Sequence, residues 1–178
     1  MHPLFHYINQ YTSAIIPKED FKVLMSHFVP KKIRKKQYLL QQGEICRYFA
    51  FVVKGALRQY YLDEKGIERV INLYVENWWA GDHESYVSLT PSAYNIDAWE
   101  DCEVLLISRE NILKLTEQYP AFNQLLLKLG ERHNIATQKR LATINYTAEK
   151  RYKCFVENFS FFANRFPQHI IASYLGVT

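Results

Sequence analysis

The densest knot of potential ligand atoms in the chain is Asp82-His83-Glu84. Its chemistry would be metal chemistry, because carboxylates and imidazole are the donors a zinc-like ion takes. Metal-binding β-barrels of the cupin type usually show His-x-His followed by a carboxylate. Here the loop holds one histidine and no second one near it, so a metal ranks low. His2, His6, His27 and His169 have no ligand spacing, and His133 falls on a helical stripe. The cysteines Cys46, Cys102 and Cys154 are far apart and odd in number, with no Cys-x-x-Cys pair. Neither a zinc site nor a disulfide framework is indicated, and single scattered thiols fit a reducing cytosol. No Ser/His/Asp or Cys/His arrangement is legible. The chain is therefore not read as an enzyme, with a cupin-like metal-dependent enzyme kept as the rival.

A second chemistry is open to the basic residues. Twenty-two Lys and Arg against 18 Asp and Glu leave a net charge of +4, which points only weakly to nucleic acid. The distribution says more. Lys31-Lys32-Ile33-Arg34-Lys35-Lys36 is one cluster, best read as a solvated face. From Lys128 to Lys153 seven Lys and Arg face only Glu131 and Glu149. The hydrophobic share of 48% is that of a globular protein. No apolar run approaches the roughly 18 residues of a membrane span, and MHPLFHYINQ lacks the basic-then-apolar order of a secretory signal. A cytoplasmic protein without membrane contact is expected.

Several elements must position these residues. The N-terminal 28 residues read as two helices, one with Leu4, Phe5, Ile8 and Tyr11 on a face, the other starting at Pro17 with Phe21, Leu24, Met25 and Phe28. From Val29 the period becomes two. KKQYLLQQGE runs into a turn at Gly43-Glu44. YFAFVVKGALRQYYLDEKGIERVINLYV reads as three strands, with turns at Lys54-Gly55 and Glu64-Lys65-Gly66. Asn77 to Asp82 breaks the pattern, HESYVSL is a short helix, and YNIDAWED and CEVLLIS are two more strands. The combination argues an antiparallel sandwich or barrel. Ser108 then caps the helix RENILKLTEQYP.

Next comes a long amphipathic segment from Ala121 to Ala148, expected to end near Asn145 to Thr147. Phe122, Leu126, Leu129, His133 and Ala136 recur at three- and four-residue steps. About 28 residues would make a rod of roughly 42 Å. Such a rod packs on its own globule, on a second subunit, or on both. Thr147 is the expected cap of AEKRYKCFVENFSFF, Pro167 the start of a last helix, and Gly176 its left-handed stop.

In this order of elements the chain resembles the CRP/FNR family of bacterial transcription regulators, over nearly its whole length. The markers are Gly43, Gly55, Gly66 and Gly81, the segments KKQYLLQQGE and FVVKGALRQYY, the strand pair AWEDCEVLLIS, the long helix, and the tail AEKRYKCFVENFSFFANRFPQHIIASYLGVT. The resemblance implies an α+β fold: an antiparallel β-roll of the jelly-roll type with flanking helices, a long dimerisation helix and a partial winged helix. It divides the chain into a cyclic-nucleotide-binding-like effector domain (1–120), a dimerisation helix (121–147) and the start of a winged-helix DNA-binding domain (148–178). PQHIIASYLG would open the helix-turn-helix and Gly176-Val177-Thr178 would be its turn, so the base-reading helix would follow Thr178.

The resemblance also implies where a ligand would sit. The family offers a Gly-Glu pair to the ribose and, ten residues beyond the Glu, an Arg-Ser pair to the cyclic phosphate. Gly81-Asp82 and Ser92-Ala93 stand at those places, with His83 and Glu84 between, and the arginine is missing. A buried phosphate anion without that cation would cost several kcal/mol, so cAMP is not expected. Either another small-molecule effector or an aromatic-filled pocket is open, the aromatics being Trp78, Trp79, Tyr86, Tyr94 and Trp99. Thr137 and Gln138 stand where the long helix would reach the base, with a polar interruption of a dimer seam as the alternative. The expected seam is Phe122, Leu126, Leu129, His133 and Ala136. Lys150, Arg151, Lys153 and Arg165 are the expected phosphate contacts to DNA. A homodimer regulating transcription on DNA, with RNA polymerase as a further partner, is the implied function; a ligand-sensing scaffold without DNA binding is the alternative beside the metal enzyme.

Overall fold

The computed structural model describes residues 2–13 and 16–177. Two short helices, α1 (Pro3–Tyr11) and α2 (Lys18–Met25), lead into eight strands. These are β1 (Val29–Ile33), β2 (Tyr38–Leu40), β3 (Tyr48–Lys54), β4 (Leu57–Leu62), β5 (Glu68–Tyr74), β6 (Trp79–Ala80), β7 (Asn95–Ala98) and β8 (Cys102–Ser108). Helix α3 (His83–Ser88) bridges β6 and β7, and α4 (Arg109–Gln118), α5 (Pro120–Ala142), α6 (Ala148–Ala163) and α7 (Gln168–Leu175) complete the chain. The strands form two antiparallel sheets, β1-β8-β3-β6 and β2-β7-β4-β5, closed face to face into the expected roll. No helix among the described residues is long and apolar enough to cross a membrane.

The local rules act where the sequence places them. The Ser108 hydroxyl accepts from Asn111 N at 3.2 Å and starts α4, and the Thr147 hydroxyl accepts from Lys150 N at 3.3 Å and starts α6. Gly55 holds φ +96° at the β3–β4 turn, where an added Cβ would lie 2.5 Å from the Asp101 carbonyl, so the turn tolerates no side chain. Gly176 ends α7 at φ +66°. Thr178, the last residue of the expected turn, lies outside the described residues. Strand β6 escapes the sequence reading because two residues carry no period.

Three apolar clusters divide the work. Leu40, Ala50, Leu57, Ile96, Val104 and Leu106 fill the space between the sheets. Leu4, Ile8, Leu24, Phe51, Ile107 and Leu115 join the N-terminal helices and α4 to the outer side of the first sheet. Tyr60, Val70 and Leu73 on the second sheet meet Phe155, Phe162, Phe166, Ile170 and Ile171 of the C-terminal segment.

The long helix departs from expectation in length and in facing. It ends at Ala142, so its 23 residues span roughly 34 Å. Phe122 is fully buried, and Leu126 and Leu129 pack on the second cluster beside Leu125. These residues are spent on the chain's own globule, and His133 and Ala136 continue the same face with their side chains exposed. The exposed apolar residues lie on the opposite side: Leu127, Ile135 and Leu141, at 63%, 52% and 61% exposure. Helical period alone does not say which of two stripes meets the globule. Helix α6 also breaks at Phe159, whose φ of −139° and ψ of 42° are not helical.

Candidate effector site

Helix α3 and the turn after it sit where β6 delivers the chain to the mouth of the roll. Asp82 is buried and caps α3, its carboxylate accepting from Glu84 N at 3.1 Å and Ser85 N at 3.4 Å. Its other oxygen accepts a 2.7 Å hydrogen bond from the Ser92 hydroxyl, which is also buried and accepts from Tyr94 N at 3.0 Å. The two positions ten residues apart are therefore brought together, and they are bonded to each other. A carboxylate already occupies the electropositive start of α3, with no cation beside it among the described residues. A ligand phosphate placed there would meet a like charge. Gly81 lies flat on Phe49, since an added Cβ would sit 2.6 Å from its ring.

The other expected pocket residues are not gathered with that pair. His83, Glu84 and Ala93 are exposed, and Thr137 and Gln138 are exposed on α5. Among the described residues no group of three or more His, Cys, Asp or Glu is placed to hold a metal ion. The aromatics do not fill one pocket either. Trp79 packs on Phe51 at 5.3 Å beneath the N-terminal helices. Trp78 meets Phe162 at 5.3 Å, and Trp99 meets Phe166 at 6.2 Å, both on the outer face of the second sheet. Tyr86 lies in the core between the sheets, where Trp78 also packs; among the described residues the Tyr86 hydroxyl has no hydrogen-bond partner, and burial pushes its pKa up.

Polar side chains along β4 and β5 also bind one another. Gln59 Oε1 accepts from Asn72 Nδ2 at 2.8 Å and from the Tyr74 hydroxyl at 2.7 Å. Arg58 makes a two-bond fork to Asp97 at 2.9 and 3.0 Å and a further bond to Glu68 at 2.5 Å. Burial opposes the charge on Arg58, but the bonds to Asp97 and Glu68 outweigh it and raise the pKa. No sequence spacing announces this ion pair, because its partners come from different strands.

Open space adjoins the Asp82 segment through Gly81. A cleft of about 530 Å³ runs between β1 and β2, floored by Leu40, Cys46, Ile96 and Leu106 and rimmed by Lys31, Glu44 and Arg47.

The residues expected to meet DNA have other partners. Arg165 Nε and Nη2 bond to Glu100 at 2.8 and 2.6 Å, and Nη1 to Glu76 at 2.9 Å. Arg151 donates to the carbonyls of Ile144, Tyr146 and Leu175, tying the α5–α6 linker to the end of α7. Lys150 sits over the Tyr146 ring at 3.9 Å, and Lys153 is exposed. Two of the four cations are thus committed to holding the C-terminal segment in place. Arg140 joins them: it bonds the Ile71 carbonyl of β5 at 2.8 Å and the Tyr174 carbonyl at 2.9 Å. With Ser173, whose hydroxyl accepts from Val70 N at 2.9 Å, it covers the free edge of the second sheet, which would otherwise template wrong pairing.

The model of the cyclic nucleotide-binding domain family matches residues 30–119, ending at the residue before α5. Among solved structures, FixK2 from Bradyrhizobium japonicum has a TM-score of 0.72 at 19% identity, covering 85% of this chain and 78% of its own. The catabolite activator protein of Thermus thermophilus gives 0.60 at 21% identity, over 99% and 81%. The sensor domain of the transcriptional regulator DNR from Pseudomonas aeruginosa gives 0.56 at 19%, over 75% and 87%. At these identities the likeness is one of fold. No curated protein matches the chain.

Proposed function

Since the chain belongs to the cyclic nucleotide-binding domain family, we propose that it is the sensor and hinge of a homodimeric, DNA-binding transcription regulator of the CRP/FNR type whose effector is not a cyclic nucleotide. The observation that carries the reading is the uncovered apolar side of the end of α5. Every residue from 131 to 142 is exposed, and Leu127, Ile135 and Leu141 point away from the globule. A helix end that protrudes with apolar side chains in water is stabilised only when something covers it. A second copy does so by two-fold pairing, because the same stripe meets itself. Gln138 falls within that stripe as its polar interruption.

The C-terminal segment supports the DNA-binding part. Helix α7, stopped by a left-handed Gly176, is compatible with the first helix of a helix-turn-helix. It is docked on the sensor by the phenylalanine cluster and by Arg165 between Glu76 and Glu100. In the mechanism we favour, an effector changes the balance between this docked packing and one in which the paired α5 helices aim the segment at DNA. The Asp82–Ser92 bond supports the absence of a nucleotide, because it uses the groups that would face a cyclic phosphate. Calorimetry is expected to show cAMP binding no tighter than roughly 100 µM, about −5.5 kcal/mol; micromolar binding would overturn that part.

The deciding experiment compares residues 1–178 with the gene's complete product in mobility shifts, on upstream and scrambled DNA at two salt concentrations. The 178-residue chain is expected to bind weakly, without sequence preference and less at high salt. The complete product is expected to select a near-palindromic site with half-sites about one helical turn apart. A complete product that selects no DNA from a random library would replace the regulator with a ligand-sensing scaffold.

A further inference from the structure

We infer that the cleft between β1 and β2 binds an amphipathic carboxylate, its apolar body on Leu40, Ile96 and Leu106 and its carboxylate between Lys31 and Arg47. The inference rests on the non-nucleotide half of the proposed function and gives that effector a place and a chemical class.

The size and lining carry the first step. About 530 Å³ falls within the roughly 300–1,000 Å³ of small-molecule sites. The floor is apolar throughout: Leu40, Ile96 and Leu106 are buried, and Cys46 contributes a thiol that burial keeps protonated by pushing its pKa up. That thiol is turned to the wall, donating to the Tyr48 carbonyl and accepting from Asp82 N at 3.4 Å. A ligand body entering the cleft meets hydrocarbon and no stranded polar group.

The rim selects charge. Lys31 and Arg47 are exposed and take part in none of the ion pairs formed among the described residues, unlike Arg58, Arg69 and Arg165. Glu44, the acidic rim residue, spends one oxygen on Gln41 N at 3.1 Å. The mouth therefore carries a net positive charge, and guanidinium with ammonium is suited to a carboxylate.

The wall of the cleft also connects it to the family's ligand segment. Gly43 N donates to the Ser92 carbonyl and Ser92 N to the Glu44 carbonyl, both at 2.8 Å. Cys46 N donates to the Ser85 hydroxyl at 2.9 Å, and Ile45 bridges Pro91. A ligand that orders residues 43–48 thereby acts on α3 and on the Asp82–Ser92 pair, which it approaches from Gly81 in the wall of the cleft. The cleft meets the nucleotide position at Gly81, which lines it, and is joined to it by this loop.

The probes are sodium octanoate and 1-octanol, titrated calorimetrically into the 178-residue protein. Octanoate is expected to bind more tightly than octanol. The double substitution Lys31→Glu with Arg47→Glu is expected to weaken octanoate roughly tenfold, the equivalent of about 1.4 kcal/mol, and to leave octanol within a factor of two. Leu39→Trp, at a half-buried wall position, should block both probes. Hydrogen exchange on the unaltered protein gives a reading independent of any variant, with octanoate slowing exchange at residues 43–48. Equal affinity for the two probes, an unchanged charge-reversed variant, or displacement of octanoate by cAMP would each overturn the inference. Sequence-selective DNA binding by the complete product without octanoate binding would sink the cleft and leave the regulator standing. Octanoate binding without DNA selectivity would do the reverse.

Discussion

The two halves of α5 are one helix under two regimes. From Ala121 to Leu129 it is part of a core, with Ala121, Phe122 and Leu125 buried against α1 and α4. From Glu131 to Ala142 every residue is exposed. Composition does not separate them, since both halves carry leucines and basic residues. The difference is what lies alongside: the second half meets the globule only through polar side chains, Arg132 over Tyr11 and Arg140 on the Ile71 and Tyr174 carbonyls, and buries no apolar residue. The apolar side chains of the first half therefore report on stability, and those of the second half report on association.

The largest expected effect belongs to the packed half. Phe122→Ala would leave a cavity in a fully buried site and should cost about 3–5 kcal/mol in denaturant unfolding. A loss below about 1 kcal/mol would mean that the packed half is as loosely held as the bare one. The bare half should answer in mass instead. Leu141→Asp places a charge in the proposed seam and should weaken the dimer by at least about 100-fold, roughly 2.7 kcal/mol, in sedimentation equilibrium. Its effect on monomer stability should stay within about 0.5 kcal/mol. An unchanged mass would move the interface off this face.

A third substitution tests what holds the segment beyond the bare half. Arg165→Ala should release part of the docking of α6 and α7 and cost about 1–2 kcal/mol, because the bonds are charge-assisted but half-exposed. Burial alone would raise the Glu76 pKa, but the bonds from Arg165 and from Gly55 N bring it below the usual 4.5. A lowered carboxylate pKa stabilises fully above the unfolded value and is lost as pH falls through the folded one. The difference between wild type and Arg165→Ala should thus be constant above about pH 5 and shrink as the pH falls below 4.5. A difference that survives at pH 3 would assign the docking to the phenylalanines. The smallest effect is expected for Ala136→Ser, which continues the packed face beyond the globule and should change stability by under about 0.5 kcal/mol.

Much of this architecture was written in local signals. Alternation and glycine turns are consequences of backbone geometry, so the roll, the caps at Ser108 and Thr147 and the stop at Gly176 could be read without knowing what packs on what. The absence of an arginine at Ser92 was legible only through the resemblance to the family. Facing could not. The stripe Phe122, Leu126, Leu129 is a seam by period and a core by position, because a helix with apolar residues on two sides leaves the choice to the surface that meets it first. Arg165 and Arg151 are cations in a basic tail by sequence and clamps by structure, since their partners, Glu76, Glu100 and the Leu175 carbonyl, come from elsewhere in the chain. Asp82 and Ser92 were paired by the resemblance to the family, but only the fold decided that they satisfy each other. Burial and partnership belong to pairs of distant residues, and those pairs exist only once the sheets have closed.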